Sequence, residues 1–240
     1  MTNFINYAHR GASEYCPENS LLSFYTGIFM GANGIETDVQ MTKDNIPVLF
    51  HDKTLSRVTG EKASIGDYTY NQLLNFNVYN GKLLDKIVSL RRFFECFAHK
   101  DLTFAIELKG ENTEKATFEL IKEFGVSDKV VITSFKFDYL KKYRDLDGNT
   151  RIGYLVETVT DSVISDLKSI NGYEICPRAC GLTKNNVKLW HNLGFNVRAW
   201  GVSDIKLMKH AVKCGVDGMT VNFPDKLTKY IAKKKGYTRP

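Results

Sequence analysis

The most constraining feature of this sequence is an alternation. Short apolar, β-branched runs recur along the chain, and a longer segment with helical spacing follows each of them. The runs cover residues 5–9, 34–39, 102–108, 129–134, 151–156, 172–176, 195–200 and 218–222. The helical segments cover about 19–30, 88–99, 113–124, 137–145, 161–170, 183–193, 204–214 and 225–233. Eight strand-then-helix units in 240 residues predict a (β/α)₈ barrel. An open doubly wound sheet is the rival architecture. The barrel is preferred on strand count, and because no Gly-rich phosphate loop opens the first helix.

The punctuation agrees. Asn19 precedes a run of helix formers, Ser203 or Asp204 can cap the next-to-last helix, and Gly125, Gly194 and Gly215 follow helix ends. One stretch breaks the rhythm. Residues 40–87 make a long excursion after the second strand, with a further short strand at 46–50 and a polar, aromatic stretch at 53–84. Loops this long are usually functional or fold as a small unit of their own. The expectation is one barrel domain over residues 1–240, with an insertion subdomain at about 40–87 that caps the site. For Tyr68, Tyr70, Phe76 and Tyr79 two readings stay open: walls of a substrate cleft, or a small core of the insertion.

Composition excludes several classes. The five cysteines, Cys16, Cys96, Cys176, Cys180 and Cys214, are odd in number and scattered, which suits reduced thiols rather than a disulfide framework. Cys176 and Cys180 have no second pair at zinc-ligand spacing and read as two small buried residues. Residues 1–6 lack the basic head and apolar core of a secretory signal, and no stretch is long enough to span a bilayer. The expected location is the cytoplasm, without stable membrane insertion. Part of the net charge of +6 sits in the tail from Lys226 to Arg239, with Lys229, Lys233, Lys234 and Lys235, read as a solvated last helix and a frayed end. No recognition motif accompanies that charge, so no nucleic acid partner is expected.

The chemistry starts with Glu36 and Asp38. At i and i+2 in a strand they share a face. Two unpaired carboxylates on a buried strand repel and lose hydration, a penalty that a divalent cation removes. Neutralisation by Lys or Arg is the competing reading. Glu107 and Lys109 repeat the arrangement on the third strand. Both pairs fall at carboxyl ends of strands, where barrel enzymes place their catalytic groups. Glu36, Asp38 and Glu107 together suit one hard cation, Ca²⁺ or Mg²⁺. The first strand ends in His9-Arg10-Gly11, and Arg10 offers a planar fork for phosphate oxygens. His51 follows the short strand of the excursion. Two histidines beside a carboxylate cluster can divide acid and base work. His99, His191 and His210 lie in helical segments and read as surface or packing residues.

In order along the chain, His9-Arg10-Gly11, Pro17-Glu18-Asn19-Ser20, Gly34-Ile35-Glu36-Thr37-Asp38-Val39 and Pro47-Val48-Leu49-Phe50-His51-Asp52 resemble the signature of the glycerophosphodiester phosphodiesterase family. Weaker similarity runs on through Ile106-Glu107-Leu108-Lys109, Thr133-Ser134-Phe135, Val197-Arg198-Ala199-Trp200 and Gly215-Val216-Asp217-Gly218. The resemblance implies a TIM barrel with a small insertion after the second strand, one divalent metal, and cleavage of glycerophosphodiesters to sn-glycerol 3-phosphate and an alcohol. It implies His9 and His51 as the acid–base pair, and Glu36, Asp38 and Glu107 as metal ligands. Arg10 and Lys109 would bind phosphate and Trp200 would line the glycerol pocket, with Glu18 and Asn19 supporting the first-strand loop. Gly201, Val221-Asn222 and Ser20 depart from the family pattern, which bears on fine specificity and not on the reaction. The rivals are a related enzyme of intact or lyso lipids and a non-catalytic metabolite-binding barrel. Oligomeric state is not legible.

Overall fold

A computed structural model describes residues 4–235. Eight parallel strands close on themselves: β1 (Ile5–His9), β2 (Gly34–Met41), β7 (Thr103–Leu108), β8 (Val130–Ser134), β9 (Arg151–Val156), β10 (Glu174–Pro177), β11 (Asn196–Val202) and β12 (Gly218–Val221). Each pairs with its neighbour in chain order, and β1 pairs with both β2 and β12, which seals the barrel. The sequence-based choice of barrel over open sheet therefore holds, with strand ends shifted by a residue or two.

Helices α1 (Leu21–Phe29), α4 (Leu90–Phe97), α5 (Thr113–Glu123), α6 (Phe137–Leu146), α7 (Asp161–Ser169), α8 (Lys184–Asn192), α9 (Ile205–Cys214) and α10 (Pro224–Lys235) return the chain between and after these strands. Two starts differ from expectation. Ser20, not Asn19, caps α1, because its side chain accepts from the Ser23 N–H. Ser89 caps α4, because residues 88–89 pair as β6 (Val88–Ser89) with β3 (Pro47–Leu49) before the helix begins. Asp204 is the cap of α9, its side chain accepting from the Leu207 N–H.

The core lies between strands and helices. Phe24, Phe93, Phe94, Phe97 and Phe104 are fully buried on the outer faces of the early strands, mostly edge to face, with Phe24 and Phe93 centroids 5.1 Å apart. Each such ring contributes about 1.5–3 kcal/mol by leaving water. A second cluster, including Leu167, Trp190, Phe195 and Leu227, packs α7 to α10 on the later strands.

The excursion begins where β3 turns back antiparallel on the end of β2. It continues through α2 (Ser56–Thr59), α3 (Tyr70–Leu73) and the hairpin β4 (Asn77–Asn80) and β5 (Leu83–Lys86). Val48, Phe50, Leu55, Ile65, Leu73 and Val78 give it a core of its own. Tyr68, Tyr70 and Phe76 pack on that core and Tyr79 is exposed, so of the two open readings the local core is the one found for three of these residues.

Smaller readings are also settled. Cys176 is buried, but Cys180 is exposed on a short turn after β10, which corrects its reading as a buried residue. His99 lies just past α4 rather than in it, while His191 and His210 lie on α8 and α9. Lys233 and Lys234 are exposed on α10, and residues 236–239 of the basic tail lie outside the described residues. Among the described residues no helix is long and apolar enough to cross a membrane.

Candidate active site

Parallel pairing sets the acidic groups side by side. In the register of the sheet Asp38 stands opposite Glu107, and Glu36 opposite His9. One oxygen from each of Glu36, Asp38 and Glu107 lies within 4.8 Å of the others, and all three residues are buried. These are hard oxygen donors of the kind Ca²⁺ and Mg²⁺ take. Asp38 Oδ1 is buried and accepts no hydrogen bond, although Lys109 Nζ is 3.3 Å away. A buried carboxylate oxygen with an ion pair to Lys109 but no hydrogen bond, inside a triad of acids, fits a site for a divalent cation.

The loop after β1 aims Arg10 at this centre. Arg10 has a left-handed backbone, φ 53. Its N–H donates to the Glu36 carbonyl at 2.9 Å, and its carbonyl accepts from the Asn19 N–H at 3.0 Å and Ser23 Oγ at 2.8 Å. Gly11 follows at φ +83, and a Cβ there would fall 2.2 Å from Ser23 Oγ. The turn therefore requires glycine, which gives the His9-Arg10-Gly11 motif a physical cause.

Fixed cations face the acids. Arg10 Nε is 3.2 Å from Asp38 Oδ2, and Lys109 Nζ is 3.2 Å from Glu107 Oε1. Asn19 Nδ2 donates to Asp38 Oδ2 at 3.0 Å and Arg10 donates to Glu18 Oε1 at 3.0 Å, so both loop residues touch the charged groups directly. The three acids titrate apart. Burial, then the charges of Asp38 and Glu107, push Glu36 up to about 8. Burial and Asp38 push Glu107 up to about 7, against the pull of Lys109. Burial would raise Asp38 too, but Arg10 and Lys109 hold it well below the usual carboxylate range.

The histidines flank this group. His9 Nδ1 lies 2.5 Å from Asn222 Oδ1 and its Nε2 lies 3.8 Å from Glu36 Oε2. Asn222 Oδ1 can only accept, so Nδ1 carries the proton and Nε2 is left with a free lone pair. Burial, with Arg10 next, lowers His9 to about 4. His51 Nδ1 lies 2.6 Å from Asp52 Oδ1. Burial lowers His51 as well, while Asp38 and Asp52 oppose that shift.

Both histidines, Arg10, Glu36, Glu107 and Lys109 line one cleft of about 330 Å³. Asp38 does not line it and is fully buried. Trp200 forms the far wall, with Phe135 edge-on at 4.9 Å and its Nε1 donating to the Val156 carbonyl at 3.1 Å. Of the residues expected to act on metal, phosphate, glycerol or protons, all but Asp38 line this cleft, and Asp38 joins their carboxylate cluster.

Two features were not legible in the sequence. Arg198 is buried in the barrel interior, where its Nε donates to Glu174 Oε2 at 2.8 Å and it donates to Thr220 Oγ1 at 3.0 Å. Arg57, from the excursion, donates to Asp52 Oδ2 at 2.6 Å and to both oxygens of Glu18 at 2.8 and 2.6 Å. It therefore joins the carboxylate behind His51 to the carboxylate behind Arg10. Sequence alone assigns neither arginine a role. Arg198 stands in a stretch of family similarity, but an arginine on a strand or in a loop reads as solvated until its partners are seen.

Fold and rim together define a barrel hydrolase of phosphate diesters. Comparison with known proteins supplies the family. Residues 9–226 match the Glycerophosphoryl diester phosphodiesterase family, and the chain belongs to it. A glycerophosphodiester phosphodiesterase of Bacillus altitudinis is 30% identical over 236 residues, covering 93% of this chain and 96% of its own. YqiK of Bacillus subtilis, an uncharacterized protein, is 34% identical over 92% of this chain and 95% of its own. A solved Oleispira antarctica phosphodiesterase, in complex with the product sn-glycerol-3-phosphate, shares the fold with a TM-score of 0.86 at 24% identity, over 95% of this chain and 96% of its own.

Proposed function

We propose that this chain hydrolyses glycerophosphodiesters to sn-glycerol 3-phosphate and an alcohol, in a metal-dependent reaction with His9 and His51 as base and acid. The observation that carries the reading is the buried acidic triad with two imidazoles lining the same cleft. The product named in the Oleispira antarctica complex supports the choice of substrate.

Glu36, Asp38 and Glu107 would hold the cation, Ca²⁺ or Mg²⁺. When bound, it supplies Lewis-acid neutralisation of the charge that develops on the phosphoryl oxygens. Arg10 and Lys109 bind those oxygens and add fixed positive charge, often the largest catalytic term. His9 takes the proton from the attacking hydroxyl, which belongs to water or to the glycerol itself. In the second case a cyclic phosphate forms as the alcohol leaves, and water then opens it to glycerol 3-phosphate. Its free Nε2 and neutral state at pH 7 suit that role. His51 gives a proton to the departing alcohol oxygen, and Asp52 behind Nδ1 holds the ring with Nε2 forward. Each imidazole contributes about 10²–10⁴-fold in rate. Trp200 offers an apolar wall for the glycerol carbons.

We read the chain as one barrel domain with an insertion at about residues 40–87. Five free thiols favour a reducing compartment, which supports a cytoplasmic reading. The partner is the small diester, with no nucleic acid. The test is release of glycerol 3-phosphate from several glycerophosphodiesters, with EDTA and then with Ca²⁺ or Mg²⁺ restored. His9→Ala and His51→Ala should each lose at least about 10²-fold. Near-normal turnover in either variant, or full turnover in EDTA, overturns this mechanism.

A further inference from the structure

A second cavity, of about 260 Å³, adjoins the cleft through Lys109, which lines both. It lies between the barrel rim and the excursion. Its walls include Gln40 at the end of β2, Lys53 after His51, Ser64 in the excursion, Glu111 after β7 and Lys136 after β8. Gln40 ties it to the acid side of the reaction, because its Nε2 donates to the backbone carbonyls of His51 at 3.1 Å and Asp52 at 3.3 Å. The base of the cavity is packed backbone to backbone. A Cβ on Gly110 would come within 2.9 Å of Gln40 Oε1 and 3.1 Å of the Met41 nitrogen.

The lining is mainly basic: Lys53, Lys109 and Lys136 stand against the single acidic residue Glu111. Lys109 is already paired with Asp38 and Glu107. Lys53 makes no ion pair and no side-chain hydrogen bond among the described residues. Lys136 donates to the Tyr139 hydroxyl at 2.8 Å, lies over that ring, and forms no ion pair among the described residues. This basic, concave space adjoins the segment that carries His51, the proposed proton donor to the departing alcohol.

We propose that this cavity is a second anion subsite, which holds a further phosphate group on the departing alcohol. The proposal rests on the reading of His51 as the acid. It names the substrate class as diesters whose departing alcohol is itself phosphorylated.

The test compares substrates that differ in that group. Glycerophosphoglycerol releases an uncharged alcohol, glycerophosphocholine a cationic one, and bis(glycerophospho)glycerol a glycerol that carries a second phosphodiester. The wild-type protein should favour the last in kcat/KM, mainly through KM. Lys53→Gln and Lys136→Gln should each reduce that preference by about two- to fivefold, and together by more. Turnover of glycerophosphoglycerol should stay unchanged in both, which also shows that the variants fold. An unchanged preference in the double variant, or a wild-type preference for choline, overturns the subsite and leaves the reaction standing. If the wild-type protein with Ca²⁺ or Mg²⁺ cleaves none of the three, the reaction reading falls and takes the subsite with it.

Discussion

Arg57 is predicted to act on catalysis through two other side chains at once. Its guanidinium makes three hydrogen bonds of 2.6 to 2.8 Å, one to Asp52 and two to Glu18. Asp52 in turn holds His51, and Glu18 holds Arg10. In Arg57→Ala both carboxylates lose their outer partner, and both the proposed acid and the phosphate fork lose their backing. The side chain is 48% exposed, so solvent screens these contacts and the stability lost should be about 1–2 kcal/mol in all. For a chain of this size that is a melting shift of roughly 2–8 °C. The catalytic loss should be larger, about 10–100-fold, because displacement of a catalytic group by even ~1 Å is enough for that. Arg57→Lys keeps the charge but not the fork, and should fall between. Assaying kcat and KM beside a thermal melt separates the two effects. If Arg57→Ala melts lower yet keeps wild-type kcat, Arg57 only braces the excursion and the positioning argument fails.

Glu174→Gln leaves the Arg198 guanidinium charged and unpaired inside the barrel, where it also lies 5.1 Å over the Tyr7 ring. Breaking one side of such a pair costs about 3–5 kcal/mol. A melting point within a degree of wild type would contradict that. Metal binding should depend on pH through Glu36 and Glu107. Their folded values of about 8 and about 7 exceed the ordinary 4.5, so the metal-free folded chain keeps protons that the unfolded chain has released. Stability of the metal-free protein should therefore fall as pH rises from about 4.5 to about 8. Bound cation expels those protons, so melts with and without Ca²⁺ should differ more at pH 8 than at pH 5.5. Equal differences at both would argue against the triad as the binding site.

The barrel was legible because its signal is redundant. Eight apolar runs each have to be buried between helices and interior, and a misplaced boundary such as the start of α4 moves one cap without moving the fold. The acidic centre was legible for a related reason. A two-residue spacing on a strand fixes which side chains share a face, and parallel pairing then sets Asp38 opposite Glu107. What failed was whatever depended on contacts between distant segments. Nothing local distinguishes Tyr68 packed on the excursion's own core from Tyr68 in a cleft wall, and nothing near Arg57 announces Glu18, thirty-nine positions away. The bland appearance of Arg198 on its strand hides its partner Glu174 for the same reason.

The charges at the rim explain why the acids are arranged so tightly. Three carboxylates, Glu36, Asp38 and Glu107, face two permanent cations, Arg10 and Lys109, while Glu18 is taken up by Arg57. With all three acids ionised the group is negative by one, a poor host for a phosphodiester anion. At neutral pH the raised values of Glu36 and Glu107 relieve that excess by protonation. A dication held by the same oxygens would drive those protons off and turn the sum to plus one, which matches the single negative charge of a diester. The acids thus ionise fully only when a cation occupies them, and the sum facing the substrate is then positive. On this reading Glu107→Gln should weaken cation binding strongly, while Lys109→Gln should leave the cation bound and weaken the hold on the phosphate.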